Sequence, residues 1–360
     1  MSGRCRGGSG TRPYGKNYMK TKLSFVATIA VLCSMVLLVS CKDSHTYRVG
    51  RPLIGTLINL TIVTDSEAHA AKAAEAAFAE IARIESLFSP FRKESDVYRL
   101  NAFGGDREVP VSGETLNLLE QAVEISSATD GAFDITFATL SGLWKVGSDP
   151  FVPPSMERVR RLLGSMGAEA IILLKQKNSA HFRNRNTKIG LGGIAKGYAI
   201  LRAIQVLRKH GITDAIVDAG GDVQVIGNRD GSSWRVGLIH PRTKNIIAAL
   251  ALEPGQSVAT SGDYERFSMY KGKRYHHILD PRTGFPAEGM TSVTVICADP
   301  VAADAFATAF FVMGKERARK ILSRRRDLRT ILIDKNMNIS ASRELKGQVT
   351  WEGGLQVEWF

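Results

Sequence analysis

The spacing of apolar and polar residues changes repeatedly along the chain, so helical and extended segments follow one another without a fixed repeat. Residues 57–64 alternate apolar and polar positions, which is typical of a half-buried strand. An Ala-rich amphipathic segment follows, and Ser66 with Glu67 at its start indicates a helix N-terminus. Helical spacing also predicts helices over 114–129, 156–166, 193–210, 300–314 and 315–325.

Strand-like runs are concentrated in the second half of the chain and are joined by turns that contain glycine. They cover residues 168–174, 180–184, 214–219, 222–227, 234–239, 245–252, 275–279, 291–298 and 328–333. Consecutive strands without intervening helices favour an α+β class, with a sandwich of largely antiparallel sheets and packed helices. Because no linker rich in Pro, Gly or Ser divides the chain, we expect a single domain over 49–360.

The first 41 residues have a different character and resemble a bacterial secretory leader. Met19 is the better start, since basic residues follow it and an apolar run then leads to small residues before Cys41. This pattern indicates a lipobox, in which Cys41 becomes the lipidated mature N-terminus, followed by a tether over 42–48. An N-terminal membrane helix is the alternative. The first interpretation predicts an exported, periplasm-facing lipoprotein anchored in the inner membrane.

Charge and cysteine content limit the possible partners. The net charge of +13 includes six basic residues in the leader, which leaves +7 for the rest of the chain. A modest positive excess suits an anionic cofactor or a lipid surface, and the absence of a basic stripe interleaved with aromatic residues argues against nucleic acid. Only Cys297 follows Cys41, so we expect no disulfide framework and a small core thiol.

The sequence ADAFATAF contains the first candidate for chemistry. Asp304 and Thr308 are spaced i, i+4, so they share one face of a helix near its start. A carboxylate and a hydroxyl on one face suit an oxygen-ligated cation such as Mg²⁺, which completes its shell with water and phosphate oxygens. Local helix chemistry is the alternative explanation for both residues. The flanking Ala and Phe residues predict a buried face, and a buried carboxylate needs a partner, which favours the metal.

Two Gly-containing segments are weaker candidates for binding an anion. Gly192 and Gly193 precede a helix whose first turn contains Lys196, so backbone N–H groups and one ammonium could meet a phosphate. The segment matches neither a dinucleotide fingerprint nor a P-loop. Gly220-Gly221-Asp222 separates two strands, and a tight turn explains it as well as a ligand role does.

The segment YHHILDPRTG adds a pair of adjacent histidines and a basic turn. Neighbouring residues on a strand point to opposite faces, so at most one of His276 and His277 should face a site. Arg282 in the following turn could form two hydrogen bonds to a phosphate. No pair of residues here has the spacing of a zinc site or a catalytic triad.

Taken together, eight ordered segments resemble the ApbE-type flavin transferases, which move FMN from FAD onto a hydroxyl of another protein. They are RPLIGTLINLTI, SLFSPFRKESDVYRLNA, GAFDITFATLSGLWKVG, LGGIAKGYAI, VDAGGDVQVIG, VATSGDYERF, YHHILDPRTG and ADAFATAFFVMG, spread over residues 51–314. The resemblance implies an ApbE-like fold and a Mg²⁺-dependent, periplasm-facing enzyme that is often a lipoprotein. It also implies acceptors among the flavoprotein subunits of membrane electron-transfer complexes such as ion-pumping reductases, and no nucleic acid partner.

The resemblance further implies which residues form the site. Asp304 and Thr308 would hold Mg²⁺ together with backbone oxygens near Gly193 and Ala307, and His277 with Asp304 would be catalytic. The implied contacts to FAD are Ile54, Phe91, Ala132, Phe133, Asp134, Gly190, Lys196, Ile278 and Arg282. Three positions depart from the family: Gly190 and Leu201 stand where acidic residues are usual, and Ile54 where methionine is common. The change at Gly190 weakens the expectation of a contact to FAD there.

The implied reaction is the attack of a Thr or Ser hydroxyl on FAD, which leaves FMN in a phosphodiester bond and releases AMP. Two other functions stay open at this point. Water could replace the acceptor hydroxyl, which would make the protein a FAD pyrophosphatase that yields FMN and AMP. Alternatively, the chain could be a non-catalytic FAD-binding lipoprotein whose replaced acidic residues record a lost activity.

Overall fold

A nine-stranded sheet forms the centre of the computed structural model, which describes residues 45–360. The predicted leader, its lipobox and Cys41 lie outside the described residues. The strands are β1 (His45–Leu53), β2 (Thr56–Thr64), β3 (Val109–Pro110), β4 (Ile171–Leu174), β5 (Ser179–Phe182), β6 (Ala215–Ala219), β7 (Asp222–Ile226), β8 (Trp234–Ile239), β9 (Ile246–Leu252), β10 (Ser257–Gly262), β11 (Phe267–Tyr270), β12 (Lys273–His276), β13 (Leu279–Asp280), β14 (Phe285–Pro286), β15 (Met290–Cys297), β16 (Arg329–Asp334), β17 (Ile339–Ala341), β18 (Val349–Trp351) and β19 (Val357–Trp359).

The described helices are α1 (Glu67–Phe88), α2 (Asp96–Phe103), α3 (Gly113–Ala128), α4 (Ala138–Ser141), α5 (Met156–Leu163), α6 (Ala195–Lys209) and α7 (Pro300–Leu322). Short 3₁₀ turns cover Ile135–Phe137, Ala168–Ala170, Lys175–Lys177 and Arg343–Leu345. The helix predicted over 193–210 and the pair predicted over 300–325 are present. The latter two form one element that breaks at Gly314, where φ is 73° and the backbone leaves the helical region.

The central sheet runs in the order β1-β2-β6-β7-β10-β15-β16-β17-β19. Its pairs are antiparallel except for the last, in which β17 and β19 are parallel. The predicted α+β class with largely antiparallel sheets is therefore confirmed.

Each face of the sheet has its own core because side chains alternate along the strands. Val293 and Val295 on β15 pack into the larger core with α1, α6 and α7, whereas Ile296 points to the opposite side. There it meets a three-stranded sheet ordered β18-β9-β8. The result is a layer of helices on one face and a second sheet on the other.

Two predictions about local structure were wrong. The tether predicted over 42–48 overlaps β1, because His45 to Leu53 form a hairpin with the amphipathic strand β2. The strand predicted over 275–279 ends at His276, so His277 and Ile278 lie outside any strand. One strand was not predicted: residues 257–262 form β10 between β7 and β15.

Among residues 45–360, no helix is both long enough and apolar enough to cross a bilayer. Cys297, the free cysteine of this range, is buried as expected.

Candidate functional site

One face of α7 brings a buried carboxylate beside a solvent-accessible hydroxyl. Asp304 is only 4% exposed, and Thr308 lies one turn further along the same face. Every other residue from 300 to 313 is buried, so Thr308 marks the point where solvent reaches the first half of this helix. Ser261 at the end of β10 shares a hydrogen bond with Thr308, with 3.2 Å between the two hydroxyl oxygens. The predicted pair therefore combines a buried carboxylate with a half-buried threonine.

The start of α6 lies directly against this face of α7. The backbone N–H of Gly197 donates to Oδ2 of Asp304 at 3.0 Å. A Cβ atom at Gly197 would lie 2.1 Å from the carbonyl oxygen of Pro300, so only glycine allows the two helices to approach this closely. Gly193 is less severely confined, since a Cβ there would lie 3.3 Å from Oγ1 of Thr308 and 3.3 Å from the Phe133 ring. The predicted Gly-rich segment thus borders the Asp304–Thr308 face.

A buried ion pair forms the next layer of the site. Lys196 in the first turn of α6 binds the carboxylate of Asp222, which is 2% exposed. Oδ1 of Asp222 also accepts from the backbone N–H of Thr260 at 3.0 Å. Asp222 follows the two-residue turn Gly220-Gly221, in which both residues have positive φ, as a type I′ hairpin turn requires. The turn explains the glycines, and the aspartate after them belongs to the site.

Negative charge exceeds positive charge around Asp304. Burial raises the pKa of Asp304 to about 7, Lys196 opposes this, and Asp222 and Glu265 raise it further. Arg266 provides a second positive charge, which acts on Glu265. Three carboxylates therefore share two cationic side chains, and an additional cation would relieve their mutual repulsion.

The donor set fits a hard cation that takes few protein ligands. Among residues 45–360, no three Asp, Glu, His or Cys side chains are grouped as a metal cluster. Asp304 and Thr308 supply one carboxylate and one hydroxyl, and Oδ1 of Asp304 is free of the bond that Gly197 makes to Oδ2. Mg²⁺ commonly binds through one or two carboxylates while water and phosphate oxygens complete its shell.

The two histidines differ in their surroundings. Nε2 of His276 pairs with the carbonyl of Ala287 at 2.9 Å, and its ring meets Phe311 edge-on. Nδ1 of His277 pairs with the carbonyl of Arg266 at 3.2 Å. A carbonyl can only accept, so Nδ1 carries the proton and Nε2 keeps a free lone pair. Burial lowers the pKa of His277 to about 4, with Arg266, His276 and Lys196 contributing in the same direction.

The β1–β2 turn lies beside the loop that joins β10 to β11 and contains Arg266, which we call the Arg266 loop. Ile54 and Gly55 form a two-residue turn in which both φ angles are positive, at 47° and 75°. Such a φ is strained for a β-branched residue. A Cβ at Gly55 would lie 3.9 Å from the Arg266 guanidinium, and one at Gly220 would lie 2.2 Å from Oγ1 of Thr56. This places the Ile54 turn next to the Arg266 loop and the β6–β7 turn.

Arg282 is paired within its own turn. Its guanidinium forms two hydrogen bonds to the carboxylate of Asp280, at 2.9 and 2.6 Å, and its backbone N–H bonds the same group. The predicted phosphate contact stays a prediction, and a phosphate would have to compete with Asp280 for this guanidinium. The carbonyl of Gly284, which ends this turn, accepts from the Trp144 indole at 2.8 Å.

The remaining predicted contacts to FAD are distributed over different surroundings. Ala132, Phe133 and Ile278 are buried in the larger core. The ring of Phe133 lies beside Gly193 and so borders the site. Asp134 caps the 3₁₀ turn after it by accepting from Thr136, and burial raises its pKa. It also lines a separate recess of about 500 Å³.

Phe91 and Gly190 are the least integrated of the predicted residues. Phe91 is 87% exposed, and no described contact joins it to the site. Gly190 has no space for a side chain: a Cβ would lie 3.1 Å from Cβ of Ala138 and 3.2 Å from the Phe137 ring. Leu201, the other departure from the family, is packed against the core. Ala307 is buried beside Thr308.

Glu265, Arg266 and Ser261 belong to the site but were not singled out from the sequence. The run SGDYERF, in which all three lie, begins in the last two residues of β10 and continues past its end. Polar residues at the end of a buried strand were the available signal, and it was missed because β10 was not among the predicted strands.

Comparisons with known proteins agree with this geometry. A family model described as the ApbE family matches residues 54–332. A FAD:protein FMN transferase of Klebsiella pneumoniae is 33% identical over 303 residues, covering 83% of this chain and 93% of that protein. One from Vibrio cholerae is 30% identical over 300 residues, covering 81% and 89%.

Solved structures give the same result for the fold. An ApbE protein from Thermotoga maritima superposes with a TM-score of 0.78 at 34% identity, over 84% of this chain and 99% of that one. A flavin transferase ApbE from Vibrio cholerae gives 0.74 at 27% identity, over 85% and 100%.

Proposed function

This chain belongs to the ApbE family, and on that premise we propose that it is a FAD:protein FMN transferase that uses the Asp304–Thr308 face. It takes FAD as substrate and attaches FMN to a Thr or Ser hydroxyl of an acceptor protein, with AMP as the second product. The curated relatives named above are enzymes with this name. The surplus of negative charge around Asp304, beside the start of α6, is the observation that supports this proposal best.

The proposed cofactor is Mg²⁺, held by Asp304 and Thr308 with backbone oxygens near Gly193 and Ala307. When bound, Mg²⁺ would neutralise the diphosphate of FAD and make its phosphorus more electrophilic. The start of α6 supports the same ligand, because Lys196 and the N-terminal end of the helix both favour negative charge. Only glycine fits at 197, and a side chain at 193 would be tightly confined, so this backbone can approach the ligand closely.

His277 is the proposed general base. Its ring is neutral at pH 7 and its Nε2 lone pair is free, so it can accept the proton of the acceptor hydroxyl. The hydroxyl oxygen forms a bond to the phosphorus of the FMN half, and the bond from that phosphorus to the bridging oxygen breaks. AMP leaves with the bridging oxygen, and the proton stays on Nε2 until solvent removes it.

The test is to incubate the purified protein with FAD, MgCl₂ and the soluble domain of an ion-pumping reductase flavoprotein subunit prepared without flavin. We expect flavin fluorescence that survives denaturing electrophoresis. Asp304→Asn should abolish it, since asparagine keeps an acceptor for the Gly197 N–H but lacks the charge. As a second measurement, MgCl₂ with FAD should raise the melting temperature of the wild type and not of this variant. Full labelling by the variant would remove the metal assignment.

The same assay separates the two alternative functions. AMP release at the same rate with and without the acceptor would show that the protein is chiefly a FAD pyrophosphatase. Intact FAD after prolonged incubation with Mg²⁺ and acceptor would show a non-catalytic FAD-binding protein.

We also propose that Cys41 carries lipid and holds the enzyme at the periplasmic side of the inner membrane. The support is the apolar run that ends at this cysteine. Membrane fractionation of the full chain and of Cys41→Ser provides the test: the variant should appear in the soluble fraction, and unchanged membrane association would contradict the lipid anchor.

A further inference from the structure

A two-stranded hairpin projects beside the site and keeps one face uncovered. It consists of β11 and β12 joined by the turn Lys271-Gly272, and it pairs with no other strand among the described residues. Phe267 is 38% exposed and Met269 is 55% exposed. Alternate residues of a strand share a face, so these two apolar side chains lie on the same side.

The two faces of the hairpin have different roles. Residues directly opposite each other share a face, which places Arg274 with Met269, and its guanidinium lies 4.2 Å from the centre of the Phe267 ring. On the other face, Tyr275 stacks against Trp144, and Ser268 accepts a hydrogen bond from the backbone of Gly147. The inner face is therefore packed on the protein. On the outer face, His276 opposite Phe267 is buried against Phe311, whereas Phe267 and Met269 stay partly exposed.

The hairpin begins and ends at the proposed catalytic loop. Arg266 precedes β11 and His277 follows β12. The carbonyl of Arg266 accepts from the backbone N–H of His277 at 3.1 Å as well as from its Nδ1. A polypeptide lying along the hairpin would thus end beside the segment that holds the proposed base.

The hairpin carries more positive than negative charge. Residues 265–277 include Arg266, Lys271, Lys273 and Arg274 but only one acidic residue, Glu265. Part of this charge is paired within the molecule, since Lys273 binds Glu288 at 3.1 Å. Arg274 extends the surface by contacting Asp263 at 3.3 Å, and Arg242 binds the same carboxylate at 2.7 and 2.8 Å.

Beyond Arg242, the β8–β9 hairpin presents two more exposed apolar residues. Ile239 and Ile246 pair across its end and are 50% and 58% exposed. Arg274 and Arg242 share the buried carboxylate of Asp263, which ties the two hairpins together. Exposed apolar residues with a charged rim are typical of a protein interaction site.

We propose that this hairpin surface, formed by Phe267, Met269, Arg274, Ile239 and Ile246, docks an acidic segment of the acceptor protein and guides its hydroxyl to His277. The proposal rests on the function proposed above. The basic rim favours an acidic partner, because complementary charge steers association and orients the partner. A bilayer is the less suitable occupant, since a membrane covering this surface would obstruct the approach of a protein acceptor to His277.

The test measures the Michaelis constant for the acceptor with the flavin-free reductase domain named above, using the full enzyme, FAD and Mg²⁺. Phe267→Ser combined with Met269→Ser should raise this constant about tenfold, and Arg274→Glu should do the same. The Phe267→Ser, Met269→Ser variant should retain the wild-type dissociation constant for FAD and the wild-type kcat at saturating acceptor, because these side chains are partly exposed. Arg274→Glu also breaks the bond to Asp263, so its melting temperature is measured alongside to show that it is folded. Reversing the acidic residues beside the acceptor hydroxyl to lysine should weaken binding to the wild type and restore it to Arg274→Glu.

A second exposed aromatic–arginine pair provides the matched control. Phe103 is 43% exposed and the Arg107 guanidinium lies 4.9 Å from its ring centre. Phe103→Ser and Arg107→Glu should leave the constant for the acceptor unchanged.

The possible outcomes separate the two proposals. If the wild type does not label the domain, the function proposed above fails. If it labels the domain and the hairpin variants show an unchanged Michaelis constant, only the docking surface fails. Loss of binding to phosphatidylglycerol vesicles by these variants, without any effect on the acceptor, would identify the surface as a membrane contact and overturn the proposal.

Discussion

Gly197→Ala tests whether the close approach of α6 and α7 supports the site. The new methyl group would lie 2.1 Å from the oxygen and 2.7 Å from the carbon of the Pro300 carbonyl, and 2.9 Å from Cα of Val301. These are backbone atoms of the neighbouring helix, so no side-chain rotation relieves the overlap. The helices must separate, and the hydrogen bond from Gly197 to Asp304 lengthens with them.

The magnitude follows from three contributions. Overpacking of a core costs about 1–3 kcal/mol, and losing a hydrogen bond to a buried carboxylate costs about 1.5–3 kcal/mol. Alanine is favoured over glycine inside a helix by about 1 kcal/mol, which opposes both losses. We therefore expect the free energy of unfolding to fall by about 2–4 kcal/mol.

The assay is urea unfolding followed by tryptophan fluorescence, together with FAD binding in the presence of Mg²⁺. Gly113→Ala is the control, because this glycine also lies in a first helical turn, in α3, but has open space around its Cβ position. The control should change stability by less than about 0.5 kcal/mol if it behaves as an ordinary surface substitution. Wild-type stability and FAD affinity in Gly197→Ala would refute the proposed role of this contact.

Four further predictions concern three residues. Because the pKa of His277 is lowered to about 4, kcat/KM measured at saturating Mg²⁺, which keeps Asp304 ionised, should stay level as pH falls from 8 to about 5 and decrease only below that. A midpoint near 6.5 that does not move with the Mg²⁺ concentration would contradict the assignment. The lowered pKa also means that neutral His277 contributes stability above pH 6.5 and that this contribution is lost as pH falls from 6.5 to 4, which urea midpoints of wild type and His277→Gln would measure. Ile54→Gly should raise the free energy of unfolding by about 0.5–1 kcal/mol, since a β-branched residue at positive φ is strained, while any contact of Ile54 with FAD would appear as a higher KM. Arg282→Ala should change the KM for FAD less than about twofold, because Asp280 already occupies this guanidinium, and a tenfold increase would restore Arg282 to the binding site.

Local pattern was sufficient for elements that depend on their own residues. Ser66 begins α1 through a side-chain bond to the N–H of His69, as its sequence predicts. The i, i+4 spacing of Asp304 and Thr308 places them on one face, and the alternating apolar residues of β2 define a strand. Each of these features is determined within a few residues along the chain.

Features that depend on distant partners could not be derived in this way. From the sequence alone, Asp222 is interpreted as part of a turn. The structure shows that Lys196, far away in the sequence, binds its carboxylate. From the sequence alone, Arg282 is predicted to bind a phosphate. The structure shows that its guanidinium is paired with Asp280 of the same turn. His276 and His277 are equivalent by alternation, and only the end of β12 between them shows that the second one lies in the Arg266 loop.

The separate cores on the two faces of the nine-stranded sheet have a consequence for how the molecule tolerates change. The site is built from the helical side and from turns at the strand ends, whereas the β18-β9-β8 layer has a core of its own. Substitutions inside that second core, such as Leu250 or Val225, should lower protein abundance while each folded molecule keeps its catalytic rate. A deep mutational scan that records abundance and flavinylation separately should then show different effects in the two cores: loss of abundance alone in the β18-β9-β8 layer, and loss of both on the helical side. The β18-β9-β8 layer would thus be the place to introduce stabilising changes without affecting turnover.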